Sequence, residues 1–114
     1  MDVSAHQIEV DTAPIAELVR LLVATWNPTA VWLFGSRARG TAVDESDWDL
    51  LAVVPDEIAD GGATDPLAGW ELARQAQARA DVIACAASDF DAAANVPNTL
   101  AYEATHFGVL VYER

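Results

Sequence analysis

Asp47 and Asp49 stand two residues apart at the entry to an apolar run, Trp48 to Val54. In an extended strand residues i and i+2 project to one face, so the two carboxylates are expected side by side, with Trp48 turned the other way into the core. Two acids held together beside buried strands repel each other, and a hard cation relieves that repulsion. An all-oxygen donor set suits Mg²⁺ or Mn²⁺ rather than zinc. The complementary half lies upstream, where Gly35-Ser36 follows the apolar run Val31 to Phe34 and opens a short helix. Glycine there lets backbone approach a ligand, Ser36 adds a hydroxyl, and a helix N-terminus directs free amides at a phosphate. Arg37 and Arg39 come next, two of only six basic residues, all arginine. They supply local positive charge where an acidic chain would need it to hold a triphosphate. Taken singly, Asp-x-Asp also brackets turns, and helix arginines are often merely solvated. Joined at this spacing between two apolar strands, the residues point to metal-assisted chemistry on phosphate.

The elements that must position these groups follow from periodicity and punctuation. A first helix is expected from about Pro14, capped by Asp11 or Thr12, with Ile15, Leu18, Val19, Leu22 and Trp26 on one face and Asn27-Pro28 ending it. Val31 to Phe34 reads as a buried strand bounded by Gly35, and Trp48 to Val54 as a second strand covered on both faces. Pro55 to Asp65, with Gly-Gly and no periodicity, reads as the longest loop, and a mobile one. Asp65-Pro66 restarts the chain with an alanine-rich helix from Leu67 to Ala80 that places Leu67, Trp70, Ala73 and Gln77 on one face. Asp81 to Ala86 is a third strand, a last helix runs from about Pro97 to Phe107 with Gly108 as its cap, and Val109 to Tyr112 is a fourth strand. The order α-β-α-β-α-β-α-β predicts a single α/β (α+β) domain over residues 1–114, with a mixed sheet of about four strands flanked by helices.

The stretch from Gly35 to Asp49, Gly-Ser, ten residues, then Asp-x-Asp, resembles the signature of the polymerase-β-type nucleotidyltransferase superfamily. GSRARG followed by SDWDLLAVV is especially similar to the minimal nucleotidyltransferases (MNT), antitoxin halves of pairs whose toxin is an HEPN-type helical ribonuclease. The resemblance covers nearly the whole chain after Val31, weakens between Pro55 and Ala80, and includes the closing segment Gly108 to Glu113. It implies a nucleotidyltransferase fold in which Gly35 and Ser36 bind phosphate and Asp47 and Asp49 hold metal. It also implies a third carboxylate at the start of a later strand, matched by Asp81, which would complete the metal site and take the acceptor's proton. Taken alone, Asp81 also suits a helix end or a strand start. Trp48 departs from the family pattern, being larger than the aliphatic residue usual between the two aspartates, so altered packing and intact chemistry are expected.

On that resemblance the expected reaction is Mg²⁺-dependent transfer of AMP from ATP, with two ions, to a hydroxyl. Three acceptor situations differ: AMPylation of a tyrosine on a cognate HEPN toxin, modification of a small molecule such as an aminoglycoside, and an antitoxin that neutralises by occlusion alone. A chain of 114 residues leaves little room for its own acceptor-binding domain, which favours the first. The formal net charge of −12 argues against direct nucleic-acid binding. That acidity fits either an unusual cytoplasm or a face for a basic partner. Met1 to Val10 lacks a basic start followed by an apolar stretch, and no segment approaches a membrane span, so a cytoplasmic protein is expected. Cys85, the only cysteine, reads as a core residue, and His6 and His106 have no partner at metal-ligand spacing. Tyr102 and Tyr112 read as core or edge aromatics, and Asp44-Glu45 as a solvated loop.

Overall fold

The computed structural model describes residues 10–44 and 46–114. The expectations for the N-terminal segment, His6 and Glu45 lie outside the described residues. Asp11 accepts the amide of Ala13 at 3.0 Å, and the chain enters a 3-10 turn, Ala13–Ile15, that runs into helix α1, Ala16–Trp26. Leu18, Leu22 and Trp26 recur every four residues and are buried on one face. Asn27 takes the left-handed conformation (φ 48°) and returns its N–H to Val23 O at 3.0 Å, ending the helix where Pro28 forbids its continuation.

Strand β1, Ala30–Phe34, occupies the interior of a four-stranded sheet of order β3-β2-β1-β4. It pairs antiparallel with β2, Trp48–Val54, and with β4, Val109–Glu113, while β2 pairs parallel with β3, Ala80–Ala86. Every residue of β2 but Asp49 is buried, because alternate side chains enter two separate cores. Trp48, Leu50, Ala52 and Val54 join Val31, Leu33 and α1 on one face, and Leu51 and Val53 meet Phe90, Ala101 and Ala104 on the other. The expected mixed α/β sheet of four strands flanked by helices is thus present. Among the described residues no helix is long and apolar enough to cross a membrane.

Four elements differ from the sequence expectation. The segment after Pro55 is helical: α3, Asp56–Ile58, continues into a π-type turn, Ala59–Ala63, whose Ala59 and Ala63 are buried. Pro55 O accepts the amides of Ile58 and Ala59, and the Asp56 carboxylate accepts the amide of Ser88 at 3.1 Å, so this segment is tied to the far side of β3. Helix α4, Pro66–Gln75, starts at the expected Asp65 cap, whose carboxylate accepts the Leu67 amide at 2.9 Å, but stops well short of Ala80. Gln77 is left-handed (φ 55°), its N–H reaches Arg74 O, and Ala78 N–H reaches Ala73 O. This closure releases residues 78–80 for the sheet, where Arg79 O accepts the Trp48 amide. A further helix, α5, Ala87–Ala93, was not expected. Phe90 is its single buried residue, and alanines and acids elsewhere in it carry no periodic signal.

The last helix, α6, Leu100–Phe107, is shorter than expected and capped by Thr99, which accepts the Tyr102 amide at 3.1 Å. Gly108 ends it as expected, yet in an extended conformation (φ −91°). Glycine is required there by proximity, since a Cβ would lie 2.5 Å from Ala104 O and 2.6 Å from Leu33 O.

Helix α4 seals the β3 edge through Gly69, where an added Cβ would fall well inside contact distance of Val82 O. Helix propensity alone makes Gly→Ala favourable by about 1 kcal/mol. Here Gly69→Ala is expected to destabilise by about 1–3 kcal/mol, because backbone must move apart. Gly61→Ala, in open space, is expected to be near neutral. Urea titration of both variants checks this, and a stabilised Gly69→Ala protein would mean that α4 does not seat on β3 as described.

Candidate active site

The site forms where β1 and β2 end together. Phe34 and Asp49 are register partners, and immediately after Phe34 the chain turns at Gly35 with φ 75° and ψ −155°. A side chain there would be strained, and it would also collide with the Asp49 carboxylate, whose Oδ2 occupies the place a Cβ would take. The turn leads into the one-turn helix α2, Ser36–Arg39, in which the Ala38 and Arg39 amides both donate to Gly35 O and the Ser36 and Arg37 amides precede that pairing. Backbone amides, the Ser36 hydroxyl and a carboxylate therefore meet within one turn.

Asp81 is the register partner of Asp49 on the parallel strand β3, so the third acid sits beside the second. Asp47 lies two residues earlier, just outside β2, and Arg79 Nε stands 3.8 Å from its Oδ1 in an exposed ion pair. Burial, followed by the charges of Asp81 and Asp47, pushes the Asp49 carboxyl above its ordinary range. The three acids are thus electrostatic neighbours. Among the described residues no three acidic, histidine or cysteine side chains gather tightly enough to enclose a metal ion by themselves. Trp48 is buried on the opposite face, as expected.

The two arginines of α2 part company. Arg37 folds away from Asp49: its Nη2 donates to Ser46 O at 2.8 Å and to Asp44 O at 3.2 Å, and its guanidinium lies 4.6 Å from the centroid of the Trp48 ring. Two carbonyls hold its Nη2 and an aromatic face lies under the guanidinium, while its buried Nε has no hydrogen-bond partner among the described residues. Arg39 pairs with Glu103 of α6 and lies 5.9 Å from the Phe107 ring centroid. It opens with Gly35, Asn98, Thr99 and Tyr102 onto a groove of about 570 Å³.

The fold brings further residues near these acids. Arg79 was visible two residues before Asp81, but only the register of β3 brings it to Asp47. Leu67, Trp70 and Ile83 wall a second groove, of about 620 Å³, that reaches Asp49 and Asp81. Tyr102 stacks on His106, with centroids 3.9 Å apart at the exposed end of α6, and His106 contacts Tyr102 O and Thr105 with no acidic partner among the described residues. Cys85 is half-buried, and burial raises its thiol pKa further from reactivity, followed by the charge of Asp89.

A carboxyl whose pKa is raised by folding costs stability in its charged form. That cost is complete above the folded pKa and absent below the unfolded one. Asp49→Asn is therefore expected to raise the melting temperature of metal-free protein near neutral pH. Partly exposed charge pairs contribute about 0.2–1 kcal/mol, which corresponds to about 1–6 °C for a domain of this size. The gain should shrink as pH falls through the raised Asp49 pKa. Thermal scans in chelator across pH check this, and a lowered melting temperature near neutrality would show that the acids do not oppose one another.

Residues 16–114 match the family model described as Polymerase beta, Nucleotidyltransferase. The fold is similar to that of a "putative nucleotidyltransferase" from Sulfolobus solfataricus, with a TM-score of 0.56 and 22% identity over 89% of this chain and 78% of that one. At such identity the likeness speaks for the fold alone. No curated protein matches the chain. The family match runs from the start of α1 to the last residue, through the Gly35 turn and all three aspartates, and the chain belongs to the polymerase β nucleotidyltransferase family.

Proposed function

We propose that this protein transfers a nucleoside monophosphate, AMP from ATP, to a hydroxyl on another molecule. The observation that carries the reading is the lodging of Asp49 against Gly35, with Asp81 in register beside it. A phosphate-binding turn and the acids of a transfer site then share one corner. The free amides of α2 and the Ser36 hydroxyl would hold the β- and γ-phosphates. Arg39 would join them by exchanging Glu103 for phosphate, and Arg37 would act by holding Asp44 and Ser46.

Asp47, Asp49 and Asp81 offer hard oxygen donors whose mutual repulsion, visible at Asp49, suits them to Mg²⁺, as one ion or two. When bound, Mg²⁺ supplies charge neutralisation at the acids and at the phosphate oxygens. In the reaction the acceptor oxygen forms a bond to the α-phosphorus, the bond from that phosphorus to the bridging oxygen breaks, and pyrophosphate leaves. Asp81 takes the acceptor's proton.

The acceptor we favour is a tyrosine on a cognate HEPN-type toxin, with the protein serving as an antitoxin. The described domain leaves little surface beyond its own sheet and helices for a complete acceptor pocket, so a partner would supply the remaining wall. A net charge of −12 would speed encounter with a basic RNA-binding partner and repel the RNA it cuts. Two outcomes would redirect this reading: modification of an aminoglycoside hydroxyl, which the acidity also suits, and neutralisation by occlusion without transfer.

Asp47→Asn combined with Asp49→Asn is expected to abolish metal-dependent transfer from labelled ATP while leaving the fold intact. Wild-type rates in the double variant would refute the site. Intact mass spectrometry of the protein encoded beside this one should show added AMP that disappears with the double variant. An unmodified yet neutralised partner would favour occlusion. Arg39→Ala should weaken ATP binding by about 1–3 kcal/mol, whereas Arg20→Ala and Arg74→Ala, which break only exposed helix pairs, should not. Calorimetry that finds equal affinities for all three would remove Arg39 from the donor site.

A further inference from the structure

Arg20 and Arg74 each pair with a glutamate three residues away on the same helix. Arg39 of α2 pairs instead with Glu103 of α6, 64 residues further along the chain. Both residues line the groove of about 570 Å³ onto which the Gly35 turn opens, so a carboxylate holds the guanidinium beside the opening amides of α2. Glu103 is the less exposed partner, its side chain at 26% against 52% for Arg39. Its helix is fixed independently of the pair. Ala101 and Ala104 are buried in one core with Leu51 and Val53, and Thr99 caps the first turn. Phe107, one turn further along α6, lies with its ring centroid 5.9 Å from the Arg39 guanidinium, a contact that survives when the carboxylate leaves. Carboxylate and phosphate oxygens call on the same guanidinium N–H groups, so the two compete for Arg39.

We propose, on the reading that the Gly35 turn and Arg39 hold the donor's outer phosphates, that Glu103 is a built-in competitor for those phosphates and a specificity-determining residue of the donor site. A polyphosphate anchored at the Ser36 and Arg37 amides presents a further phosphate to the guanidinium at high effective concentration and displaces the carboxylate. A lone phosphate or sulfate has no second anchor and must displace Glu103 unaided. The same competition acts on the product, because Glu103 recaptures Arg39 from pyrophosphate and loosens its hold. Glu103 thus lowers the affinity for ATP and for pyrophosphate by the same factor, and it takes no part in the chemistry. A positioning role would have the opposite sign: a glutamate that held Arg39 ready for phosphate would weaken binding when lost.

The test measures ATP and pyrophosphate binding to the full chain in Mg²⁺ by calorimetry. Glu103→Gln keeps the shape of the side chain and removes its charge. It is expected to tighten both ligands by about 1.5- to fivefold, the range of a partly exposed ion pair. Glu103→Ala should reproduce the gain, which separates it from any contact made by the new amide. In an Arg39→Ala background the same substitutions should change neither affinity, because Glu103 acts through Arg39. Glu17→Gln, which removes an equal charge from α1, should leave both affinities where they are. Unchanged or weaker binding in Glu103→Gln overturns the inference, and so does an equal gain with and without Arg39, which would reduce Glu103 to a remote charge. Wild-type protein that binds neither ligand would instead overturn the nucleotidyl-transfer reading, and the inference with it.

Discussion

The Asp49 carboxylate fills the space that a side chain on residue 35 would need, and the geometry of the site depends on that contact. Pairing Phe34 with Asp49 brings the ends of β1 and β2 level, so the chain leaving β1 must pass close to an acid. Only a residue without a Cβ passes there, and only glycine takes φ 75° without strain. The turn this permits starts α2 directly above the carboxylate rather than beyond it. The opening amides of α2 and a carboxylate oxygen are thereby brought together.

The third acid arrives by a separate constraint. A parallel strand needs a crossover, here α3, the π-type turn and α4, and the crossover must end at the right residue. The left-handed Gln77 ends it, so that Trp48 faces Ala80 and Asp49 faces Asp81. One more helical residue would shift that register and turn Asp81 to the opposite face. Gly69 lets α4 seat against the β3 edge, and the same seating leaves Leu67 and Trp70 outside, beside the acids.

Positive charge is scarce, and each of the six arginines, all among the described residues, is engaged. Arg20 and Arg74 pair with glutamates on their own helices, Arg39 with Glu103, and Arg79 with Asp47. Arg37 and Arg114 hold backbone carbonyls, the latter those of Asn27 and Pro28 at the far end of β1. An anion at the Gly35 turn therefore has to compete with carboxylates already in place. Arg39, partly exposed and paired across elements rather than along its own helix, is placed to make that exchange. Pairs of this kind are held weakly in water, so exchanging one costs little.

The sequence by itself determined the strands, the Asp65 cap and the placing of Gly35 and Asp49 beside them, because each is written in local chemistry. An unbroken apolar run marks a strand buried on both faces, Asp65-Pro66 marks a helix start, and Gly-Ser before an arginine-rich turn marks a change of element. It also showed Asp81 at a strand start. Tertiary structure decided what depends on contacts between distant residues. Arg37 reaches the Ser46 and Asp44 carbonyls and lies over the Trp48 ring, contacts that no local pattern announces. The glycine-rich segment after Pro55 became helical because buried Ala59 and Ala63 and the Asp56 to Ser88 contact hold it. Leu67 and Trp70, which share a helix face in the sequence pattern, became a groove wall because Gly69, Leu72 and Ala73 had already taken the sheet. Periodicity identifies a face, but only packing decides which face is buried.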